Sequence, residues 1–139
     1  MEERCTELTK RHYLIETKNI YDPRGRIEIM EQLPFRPKRV FVLSLFDPIM
    51  SRGDHALREC EQLFFLTSGI ARFEIEYSPT DIEQVIFDDL NLALYIPPLA
   101  WRTVYGGKDT TIVCLASHEY DPDGYINSRD ELWKILEAV

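Results

Sequence analysis

The sequence predicts an all-β fold, a sandwich or jelly roll of short strands that ends in one short helix. Three observations carry this. Apolar residues at helical spacing are scarce over most of the 139 residues. Short apolar or alternating segments recur instead, with turn signals roughly every 8–12 residues. The period changes only near the end, where Ser128-Arg129-Asp130-Glu131 has the serine, and the acidic residue three later, of a capping box.

Taken in order, Asp22-Pro23-Arg24-Gly25-Arg26-Ile27 places a turn between two short extended segments. Residues 39–46 are predicted to be a buried strand, stopped by Asp47-Pro48. The stretch from Arg52 to Gln62 runs out of a loop into a strand. If His55 opens that strand, Leu57, Glu59 and Glu61 share its face. Residues 61–67 form a further strand, and Ser68-Gly69 turns it into residues 70–77. There Ile70, Arg72, Glu74 and Glu76 fall on one face and Ala71, Phe73, Ile75 and Tyr77 on the other. Ser78-Pro79-Thr80-Asp81 makes the next turn. Strands are also predicted over 82–87, 93–96, 102–105 and 110–116, before a helix carrying Leu132, Trp133, Ile135 and Leu136. With no repeat, low-complexity tract or linker, a single domain over 1–139 accounts for the chain.

Composition narrows the function. Hydrophobic residues at 45% and charged residues at 29% give the balance of a soluble globular protein. No apolar run approaches the roughly 18 residues of a membrane span. The first residues, Met1 to Glu7, are charged and lack the apolar stretch of a secretory signal, so a cytoplasmic protein with no membrane partner is expected. A net charge of −8, from 24 acidic and 16 basic residues, repels a phosphate backbone and disfavours nucleic acid as a partner. A small anionic ligand stays compatible with it, because a pocket can gather a few arginines. Cys5, Cys60 and Cys114 form an odd set without CxxC spacing and are expected to be structural or incidental. Cys114, inside an apolar strand, is expected to be a buried thiol.

Three constellations could carry chemistry. Pro23 and Gly25 flank Arg24 in a turn, a rigid presentation suited to bidentate capture of phosphate; a plain turn with a solvated arginine is the alternative. His55 sits in Arg52-Gly53-Asp54-His55-Ala56-Leu57, where it is either a catalytic imidazole or a structural one. Leu94-Tyr95-Ile96-Pro97-Pro98-Leu99-Ala100-Trp101-Arg102 ends a strand and opens another with an aromatic and an arginine. That pair could stack on a sugar or base and contact phosphate, or Trp101 could cover the barrel end with Arg102 in solvent. His12 and His118 show no ligand spacing with His55. No histidine pairs with another at short range, so neither metal nor cofactor is expected.

In this order the segments resemble one family, the WxcM-like sugar 3,4-ketoisomerases of the cupin superfamily, relatives of the dTDP-sugar epimerases. Arg52-Gly53-Asp54-His55-Ala56 with Glu61-Gln62 and Gly69 is similar to the family's RGxHAH…EQ…G signature. Asp22-Pro23-Arg24-Gly25 is similar to its DxRG turn. The segment from Leu94 to Trp101 resembles its LY(I/V)xPxxWH strand end. Leu115-Ala116-Ser117, Tyr120-Asp121 and Gly124-Tyr125-Ile126 resemble its LAS…YD…DYI tail. The matches span roughly residues 20 to 130.

The resemblance implies a cupin-type double-stranded β-helix (jelly roll) with a short C-terminal helix, forming a homodimer. It implies a metal-free 3,4-ketoisomerase acting on a dTDP-linked 4-keto-6-deoxyhexose, in making a deoxyamino sugar for a surface glycan such as lipopolysaccharide. On this basis His55 is the expected catalytic residue. Arg24, Arg52, Gln62, Arg72, Tyr95, Trp101 and Arg102 are expected to bind substrate. The chain departs from the family at Leu57 and Arg102, where histidines are usual, and at Phe41, where a tyrosine is common. Alternative outcomes are a non-catalytic sugar-nucleotide-binding cupin, or another isomerase or epimerase on the same fold.

Overall fold

The structure is a computed structural model and describes residues 10–138. Two five-stranded antiparallel sheets face one another. In the first the strands run in the order β1 (Tyr13–Glu16), β9 (Leu92–Ile96), β6 (Gln62–Ser68), β11 (Thr110–Ala116), β4 (Arg39–Leu45). In the second the order is β12 (Tyr125–Ile126), β5 (Arg52–Leu57), β10 (Trp101–Gly106), β7 (Ala71–Ser78), β8 (Asp81–Phe87). From β4 to β11 the chain crosses repeatedly between the sheets, as a jelly roll does. β2 (Lys18–Asp22) and β3 (Gly25–Ile29) form a separate hairpin.

The core fills the space between the sheets. Phe64, Leu66, Leu94, Ile112 and Cys114 of the first sheet meet Phe73, Ile75, Phe87 and Val104 of the second. Phe73 packs edge-on to Phe64 at 5.0 Å and to Phe87 at 6.0 Å between ring centroids. Each such side chain contributes about 1.5–3 kcal/mol on burial. Cys114 lies here fully buried, and burial pushes its thiol up, away from thiolate chemistry. Cys60 is also buried and free; Cys5 lies outside the described residues.

Two layers close the outer faces. Over the first sheet, Ile15, Leu33 and Phe35 cover Leu63, Ala93 and Tyr95. Against the second, helix α1 (Arg129–Glu137) sets Leu132 on Trp101, Ala56 and Ile126. Ser128 caps it, its Oγ accepting the Glu131 N–H at 3.4 Å. No helix among the described residues is long and apolar enough to cross a membrane.

The predicted strands appear with boundaries within a few residues, and two expectations need correcting. The strand at 39–46 is not buried on both faces. Arg39, Phe41, Leu43 and Leu45 point inward, while Val40 and Val42 alternate onto the outer face of the sheet and are exposed. The strand containing His55 opens at Arg52 and stops at Leu57, so Glu59 and Glu61 lie beyond it.

Candidate active site

A cavity of about 510 Å³ opens between the sheets. Strands β4, β5, β6 and β10 supply its walls, together with Tyr125 of β12. His55 reaches it by way of an irregular β5. On β10 the neighbours Arg102 and Thr103 pair with His55 and Gly53, so Asp54 is an extra residue with no partner, a β-bulge. Gly53 (φ 86°) and Asp54 (φ 58°) both take left-handed conformations there. Gly53 also passes so close to β10 that a Cβ would lie 2.9 Å from the Arg102 carbonyl oxygen. Asp54 tolerates its backbone because its carboxylate accepts from Ser51 Oγ (2.9 Å) and Thr103 Oγ1 (3.2 Å).

The bulge leaves His55 lining the cavity with its Nδ1 sealed from solvent and without a hydrogen-bond partner. Burial, reinforced by the Arg102 and Arg39 charges and opposed by Asp54, pushes its pKa down to about 4. At neutral pH the ring is uncharged and able to accept a proton.

Arg102 is 1% exposed. Its Nη1 donates to Gln62 Oε1, its Nε to the Ala100 carbonyl at 3.1 Å and its Nη2 to the Pro97 carbonyl at 3.3 Å. Burial brings its pKa down to about 10, which leaves it cationic at neutral pH. Arg39 lies over the rings of Phe41 and Tyr120 with its Nε buried and unpartnered. With Arg52, three arginines thus line a cavity whose one carboxylate is Asp54. In a chain of net charge −8 this makes the cavity locally positive.

Of the residues expected from sequence, His55, Arg52, Gln62 and Arg102 come together in this cavity. Four others do not. Arg24 is at the exposed tip of the β2–β3 hairpin, where its guanidinium pairs with Asp22 at 2.7 Å. Arg72 points outward, as the alternation of β7 dictates, onto Glu74 (2.8 Å) and over the Tyr105 ring. Tyr95 faces away from the cavity beneath β1; its ring stacks on Tyr13 and its hydroxyl donates to Glu61. Trp101 is buried under α1, capped by Arg129, which also grips Glu76 through two bonds of 3.0 and 2.9 Å. The pair is split: Trp101 is covered by the helix and does not reach the cavity, and Arg102 is inside the barrel, lining the cavity rather than in solvent.

Arg39, Asp54 and Tyr125 were not singled out by sequence. Arg39 had a signal, a charge in phase with the inward Phe41 and Leu43. Asp54 and Tyr125 had none apart from their places in motifs. Among the described residues no cluster of His, Cys, Asp or Glu is arranged to hold a metal ion.

Two facing antiparallel sheets enclosing an arginine-rich cavity with one imidazole define a cupin-type barrel. The chain belongs to the family described as WxcM-like, C-terminal (FdtA), which it matches over residues 10–137. It is 28% identical over 130 residues to a TDP-4-oxo-6-deoxy-α-D-glucose-3,4-oxoisomerase of Aneurinibacillus thermoaerophilus, covering 91% of this chain and 93% of that one. It is similar to the 3,4-ketoisomerase QdtA of Thermoanaerobacterium thermosaccharolyticum, solved as a His-to-Asn mutant with TDP-4-keto-6-deoxyglucose. The TM-score is 0.86 and the identity 26%, over 93% of this chain and 96% of QdtA. It is also similar to WlaRB, a TDP-quinovose 3,4-ketoisomerase of Campylobacter jejuni, with a TM-score of 0.83 and 28% identity over 90% and 98% of the two chains.

Proposed function

We propose that this chain is a sugar-nucleotide 3,4-ketoisomerase that moves the carbonyl of a TDP-linked 4-keto-6-deoxyhexose from C4 to C3. The observation that carries the proposal is His55, neutral and lining a cavity that also gathers Arg39, Arg52 and Arg102. The reaction needs a base for the C3 proton, and a neutral imidazole accepts it. The resulting enediolate is an anion, and Arg102, held by Gln62 and two carbonyls, presents a preorganised positive charge away from water. Arg39 and Arg52 suit the diphosphate, whose oxygens match planar guanidinium donors.

The chain acts as a single domain, in the cytoplasm, in supplying a deoxyamino sugar for a surface glycan such as lipopolysaccharide. It works as a homodimer. The outer face of the first sheet supports this, since β4 exposes Val40 and Val42 beside Val113 and Leu115 of β11. Light scattering is expected to give about twice the 16.4 kDa chain mass.

The test is incubation with TDP-4-keto-6-deoxyglucose in heavy water. Deuterium at C3 or C4 with formation of the 3-keto sugar identifies the isomerase. Deuterium at C5 identifies an epimerase, and binding without exchange a non-catalytic cupin; either result rejects the proposal. His55→Asn is expected to lower exchange by about 10²–10⁴-fold, the worth of a general base, and to leave TDP affinity within about threefold. Exchange at the parent rate in folded His55→Asn rejects His55 as the base.

A further inference from the structure

Isomerisation of a 4-keto to a 3-keto sugar moves two protons, one from C3 to C4 and one from O3 to O4. His55 can hold one at a time. The residue two further along β5, on the same face, is Leu57, whose alkyl side chain packs with Cys60 and Ala116 and carries no proton.

We propose that the Tyr125 hydroxyl is the second proton carrier, serving O3 and O4 while His55 serves C3 and C4; this rests on the isomerase function proposed above. Tyr125 is the partner of Leu57 in the β12–β5 ladder. Residues directly opposite in an antiparallel pair project to the same face, so Tyr125 stands over the place that Leu57 leaves without a polar group. Its ring meets His55 edge-on, with centroids 4.8 Å apart and planes at 66°. It also lies in the wall between the main cavity and a second one of about 210 Å³, facing both.

The other candidates are already engaged. Asp54 accepts from Ser51 and Thr103, and the Ser51 hydroxyl is spent on Asp54. Tyr77 is bonded to His12 at 2.7 Å, and Tyr95 lies on the outer face of the first sheet. Phe41 has no hydroxyl. Gln62 and Arg102 do not exchange protons at neutral pH. The Tyr125 hydroxyl makes no hydrogen bond to the protein among the described residues, and its ring is in edge contact with the base.

The electron flow balances without a co-reactant. As His55 takes the C3 proton, the C3–H pair becomes the C3=C4 bond and the carbonyl π pair moves to O4, giving the enediolate that faces Arg102; O4 then receives the Tyr125 proton. The phenolate then removes the O3 proton, O3 forms the new carbonyl with C3, and the C3=C4 pair takes the proton from His55 at C4. Both side chains end as they began.

The test follows product formation and washing of deuterium into C3 of unconverted TDP-4-keto-6-deoxyglucose in heavy water, with TDP affinity as the check on folding. Tyr125→Phe keeps the ring against His55 and loses only the hydroxyl. It is expected to lower product formation about 100-fold, within the usual reach of acid–base groups, and C3 exchange far less. The ratio of product to exchange then falls at least tenfold while TDP affinity stays within twofold. Leu57→His placed on Tyr125→Phe is expected to raise that ratio again by supplying an imidazole at the facing position. A residue that merely packs against His55 changes both rates together or neither. An unchanged ratio in Tyr125→Phe therefore overturns the role of Tyr125 and leaves the isomerase standing. A parent chain that binds TDP but neither isomerises nor exchanges overturns both.

Discussion

Acidification is expected to destabilise the fold through His55. The unfolded chain takes up the imidazole proton near the ordinary 6.5, whereas the folded protein resists until about 4. Between these values the unfolded state binds more protons, so stability falls as pH drops from 6.5 to 4 and is insensitive to this group above 6.5. At 1.36 kcal/mol for each tenfold, the difference between 6.5 and 4 corresponds to about 3 kcal/mol. His12 contributes in the same direction, because burial holds its pKa low against the pull of Glu83. The contribution of His55 is therefore read as a difference. Urea unfolding of the parent and of His55→Asn, at equal protein concentration from pH 7.5 to 4, gives two stability curves. The parent is expected to lose about 3 kcal/mol more than the variant across that range. Curves that stay parallel within about 1 kcal/mol refute the assignment of a buried, neutral His55.

Three further outcomes are expected. Gln62→Leu removes the acceptor of Arg102 Nη1 and leaves a buried cation under-bonded, at a cost of about 2–4 kcal/mol, measured by the urea midpoint. Gly69→Ala is expected to cost about 2–4 kcal/mol by thermal melting: φ is 81°, and the new Cβ would lie 2.6 Å from Thr110 Cα, with Thr110 Oγ1 already tied to Ile70. Ser128→Ala removes the cap of α1 and costs about 1 kcal/mol, with loosening of the Trp101 environment visible in its fluorescence.

The strands were legible because turn residues and period-2 alternation are local properties, and the Ser128 cap marked the helix for the same reason. What a period cannot say is which of its two faces looks into the cavity. Arg72 and Tyr95 are on strands as predicted but turn away from the cavity, Tyr95 because β1 and the segment carrying Leu33 and Phe35 need an apolar floor. Arg102 was obscured by its chemistry, since a full charge inside a barrel runs against composition rules and is tolerated only where Gln62 and two carbonyls converge on it. Arg39 and Tyr125 are 86 positions apart in the chain, and only the ordering of strands brings both to one cavity. The motif strings carried His55, Arg52 and Gln62 because those positions sit on consecutive strands flanking the site.

The unpaired Asp54 makes the aim of His55 a matter of parity. Both flanks of the bulge are locked to β10, His55 through Arg102 on one side, and Gly53 and Arg52 through Thr103 and Val104 on the other. One surplus residue lies between the two flanks, so His55 and Gly53 stand two positions apart in the chain while their partners on β10 are neighbours, and the aim of the imidazole depends on that count. The loop side can therefore be rebuilt for a different ligand tail without redirecting the base. A homologue that lengthens or recasts residues 46–51 keeps its proton chemistry so long as the count between Gly53 and His55 is preserved.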